Sequence, residues 1–418
     1  MRLHSFCGFT RFLVSGAVLT LVAACSDGAS PAGPAAPNYD GCDTIVEPSA
    51  DDGEALQSAL INAKAGDTVC LGFGTYSFTT EVSISQAGLT LRGQGPEATT
   101  LAFDGQKVGA NGVAITSDGV TLEDFTVKNT PGDGIRATSV KDIVFRHVHV
   151  IWDAKASLDN GAYGLYPVSC EGVVIDGCVA AGARDAGVYV GQSSRVLIKD
   201  SEAYGNVAGF ELENTIEAEA VGNHAHDNTA GFLIFALPDL PVQNGGVGRS
   251  LVHDNLFEHN NLENFAEPGT MVAKVPPGSG MVLLSTDQNE ITKNDIRDNG
   301  TTGVLILSFT ETFIGTSKDP NFDPYPEGNY IHDNAFTNNG REPNAAVAAI
   351  VVVDPLPDIL ADGCMDTMKD NSTGKLTNCL KNNPNATYAA LNVCAGFMES
   401  TDIAAVTCEH AAVVPLAP

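Results

Sequence analysis

The chain has 418 residues, with 51 acidic against 22 basic side chains, a net charge of −29, and 43 glycines but a single tryptophan. Arg2 and Arg11 fall in the first two dozen residues, which hold no acid, so the remainder is more acidic still. A surface of that sign repels polyanions. Nucleic acid is excluded as a partner, and an anionic polysaccharide is admitted only where a divalent cation such as Ca2+ screens it; no resident cofactor is expected.

Residues 1–24 combine a basic start with an apolar run from residue 12 to residue 24, too short to span a bilayer and of the size of a cleaved export leader. The segment Val22-Ala23-Ala24-Cys25 resembles the bacterial lipobox, which implies lipidation of Cys25 and a membrane-anchored protein of the cell envelope. Residues 25–41, rich in Ser, Pro, Ala and Gly, read as a flexible tether. An N-terminal cap is expected over 42–66, with a helix starting near Asp52 that carries Leu56, Leu60 and Ile61 on one face. This helix with the strand and turn after it resembles the cap of pectate-lyase-like folds.

From about residue 67 to 340 a period organises the chain. Gly112, Gly134, Gly164, Gly187, Gly209, Gly231, Gly280 and Gly303 each open an apolar strand, at spacings of 22, 30, 23, 22, 22, 49 and 23. A second strand type aligns without gaps, from VTLEDFTV at Val120 to NYIHDNAF at Asn329. Its third and eighth positions are apolar and point inward. Its sixth reads Phe125, Val148, Cys178, Ser201, Asn223, Asn255, Asn294, Asn334, an interior stack that ends in an asparagine ladder. Short strands repeating at this interval make an all-β solenoid, a right-handed parallel β-helix of roughly ten coils. Residues 341–418 lose the repeat and read as a C-terminal cap or extension, with a last strand expected over 346–353.

Beyond Cys7 and Cys25, eight cysteines remain, an even number that fits disulfides in an exported chain. Cys42 and Cys70 would clip the cap. Cys364, Cys379, Cys394 and Cys408 allow three pairings, which stay open. Cys178, in the sixth column, and Cys170, in an inward turn column with Val140, Ser193 and Thr215, read as small core residues.

Alternation within each glycine-led strand defines outward columns. One runs Ala114, Arg136, Tyr166, Tyr189, Glu211, Leu233, Val282, Leu305; the next includes Thr138, Val168, Gly191, Glu213, Phe235, Leu284 and Leu307. The apolar later part of this face would be costly if wet, so the insertions at 236–248, 262–279 and 309–328, or the C-terminal residues, are expected to cover it. The polar middle is the candidate site. Asp133, Trp152, Tyr166, Tyr189, Glu211 and Glu213 are the expected substrate contacts, with a wall from the 152–162 insertion. Tyrosine rings stack on sugars, and Arg and carboxylates bond to their hydroxyls.

The coils resemble the carbohydrate-processing right-handed β-helix families. Tyr163-Gly164-Leu165-Tyr166-Pro167-Val168 is similar to the active-site segment of mannuronan C5-epimerases, whose Asp and His positions hold Tyr166 and Val168 here. The resemblance implies a polysaccharide partner and lyase- or epimerase-like chemistry, with Tyr163 as the proton-transferring group; Arg136, the nearest cation, is expected to lower its pKa by charge proximity. The string Asn-Gly-Ala-Tyr-Gly-Leu-Tyr-Pro at 160–167 resembles parallel β-helix repeat lipoproteins. Two other functions fit the same sequence: a non-catalytic surface, scaffold or adhesion protein, and a periplasmic copper-delivery accessory protein, for which the β-helix protein of nitrous-oxide reductase maturation is the resemblance. His147/His149, His224/His226, His253 and His332 read as polar ladders, and no metal site is expected.

Overall fold

The 22-residue period folds as one turn of stacked strands. In a typical coil, strands Glu171–Asp176 and Val179–Ala181 lie on one side and Ala186–Gly191 runs along the other. The next coil repeats them at Ser194–Lys199, Glu202–Tyr204 and Ala208–Glu213, in parallel, with Val173 opposite Val196, Ala180 opposite Ala203 and Val188 opposite Phe210. Across all coils the first two strand types form one sheet of 20 strands, and the third forms a second sheet of 11. The structure, a computed structural model, describes residues 36–240 and 248–416, and the compact unit begins at Asn38. The leader at 1–24, the proposed lipidation site Cys25 and most of the 25–41 tether lie outside the described residues.

Close stacking explains the opening glycines. A Cβ on Gly164 would stand 2.3 Å from the carbonyl oxygen of Gly187 in the next coil, and one on Gly209 would stand 2.6 Å from that of Gly231. The inward positions of the aligned segments are buried as expected, from Leu122 and Val127 to Ile331 and Phe336. Asn223, Asn255, Asn294 and Asn334 form the anticipated ladder, each side-chain Nδ2 donating to the next Oδ1 at 2.9–3.0 Å. The ladder runs on to Asn383. Two further ladders occupy turn columns: Asn206, Asn228, Asn260, Asn299 and Asn339, and Asn289, Asn329 and Asn378. Cys170 and Cys178 are free and buried, as read from their columns.

The ends differ from the expected boundaries. Helix Asp52–Asn62 buries Leu56 and Leu60, but Ile61 is 61% exposed, one step off the buried stripe. Strand Thr44–Val46 pairs with Thr68–Leu71, so the first rung already lies within residues assigned to the cap. At the other end the stack does not stop at 340. Strands Ile359–Ala361, Cys379–Lys381 and Tyr388–Ala390 add further rungs to both sheets. Residues 346–353 are not a strand; Ala345–Ala348 is a short helix started by the Asn344 side chain, which accepts from Ala346 N–H. Cys42 pairs with Cys70, and the four late cysteines pair Cys364 with Cys394 and Cys379 with Cys408.

The later outer face of the second sheet is covered. Leu233, Phe235, Val282, Leu284 and Leu305 are buried in a second apolar cluster, under Ala266, Val272 and Val275 of one insertion and Phe309 of another. The same cluster extends back to Tyr189, with Tyr163 and Tyr166 half-buried against it. The polar middle of the same face therefore sits at its margin.

Candidate functional site

Strand register brings the predicted column together. Arg136 lies opposite Tyr166, and Tyr189 opposite Glu211, on strands Asp133–Thr138, Tyr163–Val168, Ala186–Gly191 and Ala208–Glu213. Tyr163, Tyr166 and Tyr189 meet as a triangle with ring centroids 4.5, 4.6 and 5.0 Å apart. The Tyr189 ring lies across Gly191, where an added Cβ would fall 2.4 Å from it. Glycine at 191 therefore lets the tyrosine hydroxyl reach along the face and donate to Glu213 Oε1 at 2.7 Å. Gln192 Nε2 donates to the same oxygen and to the tyrosine hydroxyl, both at 3.2 Å. Arg136 stacks its guanidinium 4.9 Å from the Tyr166 ring centroid, with Nε donating to Thr138 Oγ1 at 3.2 Å.

Burial sets the acid–base character of the cluster. Glu211 is 3% exposed, and its Oε2 has no hydrogen-bond partner among the described residues. Desolvation, with Asp185 and Glu213 adding negative charge nearby, holds its carboxyl well above the usual range, so the neutral acid is favoured. Asp185 is pushed up to about 7 by burial and then by Glu213, while the hydroxyl of Tyr163, donating to its Oδ2 at 3.3 Å, opposes the shift. Asp133 is pushed up to about 6 by burial, against the pull of Arg136 and of the Tyr163 backbone N–H. Glu213 is also raised by burial, opposed by Tyr189 and Gln192. The arrangement thus holds carboxyls that exchange protons near neutrality beside one that stays protonated, a set able to donate and accept protons at one place.

Four sequence assignments change. Tyr163 is not made acidic by Arg136: burial first, then Asp185 and Glu211, push its hydroxyl above the ordinary range, and Arg136 lies over Tyr166 instead. Tyr189 is 4% exposed and Glu211 3%, so both form the floor and neither offers an open sugar platform. Trp152 is 6% exposed in the main core, its indole N–H donating to the Thr130 carbonyl at 2.7 Å, and so walls no groove. Half-buried Tyr163, Tyr166, Asp133 and Arg136 remain at the accessible rim. Asp185, Arg184 and Gln192 were missed. Arg184 pairs with Glu267 of the 262–279 insertion and ties that cover to the edge of the site. A cleft of about 610 Å³ lies on the first sheet under the C-terminal residues. Its Glu219 and Glu290 are already bonded by His253 and His332 and by the backbone N–H groups of Leu416 and Val413.

The family model described as a right handed beta helix region matches residues 111–244, the stretch that holds this cluster. No curated protein matches the chain in sequence. Among solved structures, the A-module of mannuronan C-5 epimerase AlgE4 of Azotobacter vinelandii superposes with a TM-score of 0.56 at 16% identity, over 82% of this chain and 95% of that one. The AlgE6 A-module of the same organism gives 0.54 at 14%, over 84% and 93%. A polygalacturonase from Erwinia carotovora ssp. carotovora gives 0.52 at 12%, over 87% and 98%. At these identities the likeness is one of fold, and the fold is a right-handed parallel β-helix with disulfide-bonded C-terminal coils.

Proposed function

We propose that the chain binds a polysaccharide across the middle of its second sheet and works on it by carboxyl proton transfer, with Asp185 and Asp133 exchanging protons and Glu211 held as the neutral acid. The observation that carries this reading is Glu211: a buried carboxyl on the outer face of the coils, with one oxygen lacking any partner among the described residues. A polar group is not left so in a purely structural position without cost. The polysaccharide-acting proteins of the same fold support the substrate class. The charge of the cluster narrows it. Four carboxyls face Arg136 and Arg184, and Arg184 is already taken by Glu267. With Arg136 stacked on Tyr166 and a chain net charge of −29, little is left to balance a uronate, so neutral sugars are the expected units, and lyase or epimerase chemistry on uronates is the less suited branch.

A binding-only surface is the second reading. It is favoured by the way the three tyrosine rings pack on one another and leave Tyr189 covered. Incubation of the protein with neutral and uronate polysaccharides, following new reducing ends and unsaturated uronate products, separates the readings. The proposal expects neutral-glycan turnover that falls by about 100-fold or more in Asp185→Asn and in Glu211→Gln. Turnover unchanged in both variants, or unsaturated uronate product from the wild type, overturns the assignment. Binding without turnover on any glycan selects the second reading. The lipobox-like segment ending at Cys25 supports attachment of this prism to a membrane of the cell envelope.

A further inference from the structure

We propose that Glu202, His224, His226 and Glu258 form a binding site for one divalent transition-metal ion of the zinc type on the outer face of the first sheet, away from the carboxyl cluster. His224 and His226 are two apart on strand His224–His226, so both rings leave the same side while Ala225 between them is buried in the core. Parallel register places Glu202 opposite His224 on the preceding coil and Glu258 opposite His226 on the following one. A ligand atom from each of Glu202, His224 and His226 lies within 4.8 Å of the other two. His226 Nε2 is 3.0 Å from Glu202 Oε1, and His224 Nε2 is 3.0 Å from Glu258 Oε1. All four side chains are half-buried, which leaves a path for an ion.

The supporting groups are those that orient metal ligands. Asp227 bonds His226 Nδ1 at 2.7 Å and turns Nε2 toward Glu202. Tyr204 stacks on the His226 ring at 5.3 Å and an interplanar angle of 15°. Arg297 Nε donates to Glu258 Oε2 at 2.8 Å and leaves Oε1 directed at His224. Two later histidines of this outer face show what a purely structural version looks like. His253 and His332 each have one Asp on Nδ1 and one Glu on Nε2, and the second oxygen of that Glu accepts a backbone N–H from the C-terminal residues. Each of those sites holds one imidazole. The pair on a single coil brings two nitrogen donors and the Glu202 oxygen within 4.8 Å of one another, with Glu258 beside His224 as the further oxygen, a set suited to a borderline ion and not to Ca2+ or Mg2+. An ion there would replace the protons now shared between imidazole and carboxylate and would tie three successive coils together.

The test is calorimetric titration of tag-free protein, stripped with chelator, with ZnCl2 and separately with CaCl2. The expected result is one saturable Zn2+ site per chain with no matching Ca2+ heat, an apo melting point that rises with added Zn2+, and affinity weakened at least about tenfold in His224→Gln and in His226→Gln. Glu202→Gln, which keeps size and a hydrogen-bonding side chain, is the second variant and is expected to weaken binding while the apo melting point stays unchanged. Absence of saturable Zn2+ binding, or Zn2+ binding of undiminished affinity in the His224→Gln/His226→Gln double variant, overturns the assignment.

Discussion

Asn255→Ala is the sharpest probe of how the coils are held. The Asn255 Oδ1 accepts from Asn223 N–H at 2.8 Å and from Asn223 Nδ2 at 2.9 Å. Its Nδ2 donates to Asn294 Oδ1, to the Ala220 carbonyl and to its neighbour His253 O. Removing the amide does not orphan every partner. Asn223 Nδ2 keeps the Ile198 carbonyl, and Asn294 Oδ1 keeps the Asn255 backbone N–H. The Asn223 N–H is the donor that loses its acceptor, at a cost of about 1–3 kcal/mol, and the other lost bonds add on the order of 1 kcal/mol. The total expected is about 2–4 kcal/mol, read from the urea midpoint of the folded prism, with faster hydrogen exchange at the Asn223 amide. Cys178→Ser, earlier in the same column, provides the contrast. Ser201 already fills the equivalent place one coil on, its Oγ accepting from Cys178 N–H and donating to Lys199 O, so a serine there is expected to cost little. A loss below about 0.5 kcal/mol for Asn255→Ala would place it among ordinary surface changes and refute the ladder argument.

Two other outcomes follow from the same structure. Asp185 and Asp133 have folded pKa values near 7 and 6, raised from 3.8, so the fold favours their protonated forms. Their stabilising contribution is fully present below about pH 4, is lost as pH rises through 6 and 7, and is flat beyond; for Asp185 the span is at most about 4 kcal/mol. Asp185→Asn should therefore flatten the fall in melting temperature between those pH values, and an unchanged slope would show that the carboxyl is not held neutral. Cys25→Ser should move the protein from the membrane to the soluble fraction of cells; unchanged fractionation would rule out the anchor.

Much of the prism was legible because its determinants are periodic. An interior column at a fixed place in every coil shows itself by alignment, as Asn223 to Asn334 did, and the same register showed that Cys178 is a core residue and that Leu233 to Leu305 need a cover. What period hides is what was missed. The strands at Ile359–Ala361 and Cys379–Lys381 continue the stack, but insertions between them break the spacing that identified the others. Asn206, Asn228 and their successors lie in turns, outside the aligned strands, so their ladder went unseen. Asp185 was overlooked for a related reason. It precedes the strand Ala186–Gly191, in no outward column, and its importance comes from burial beside Tyr163 and Glu213. Trp152 was misplaced because it begins an insertion, yet its ring turns inward and bonds Thr130. The residues at the site were largely nameable, but their protonation was not, because desolvation is a property of the cover and not of the column.

The proposed glycan path crosses the rim formed by Arg136, Tyr163, Tyr166 and Asp133. The direct measurement is the affinity of the soluble prism for a panel of neutral and uronate polysaccharides, compared with that of an Arg136→Ala/Tyr166→Ala double variant whose fold is confirmed by its melting point. Loss of the half-buried ring and of the cation stacked on it removes the accessible contact surface while leaving the floor of Tyr189, Glu211 and Glu213 in place. The wild type is expected to bind a neutral polysaccharide, with affinity weakened by about tenfold or more in the double variant, equivalent to roughly 1.4 kcal/mol. Neutral-glycan affinity left intact in that variant would contradict the proposed path.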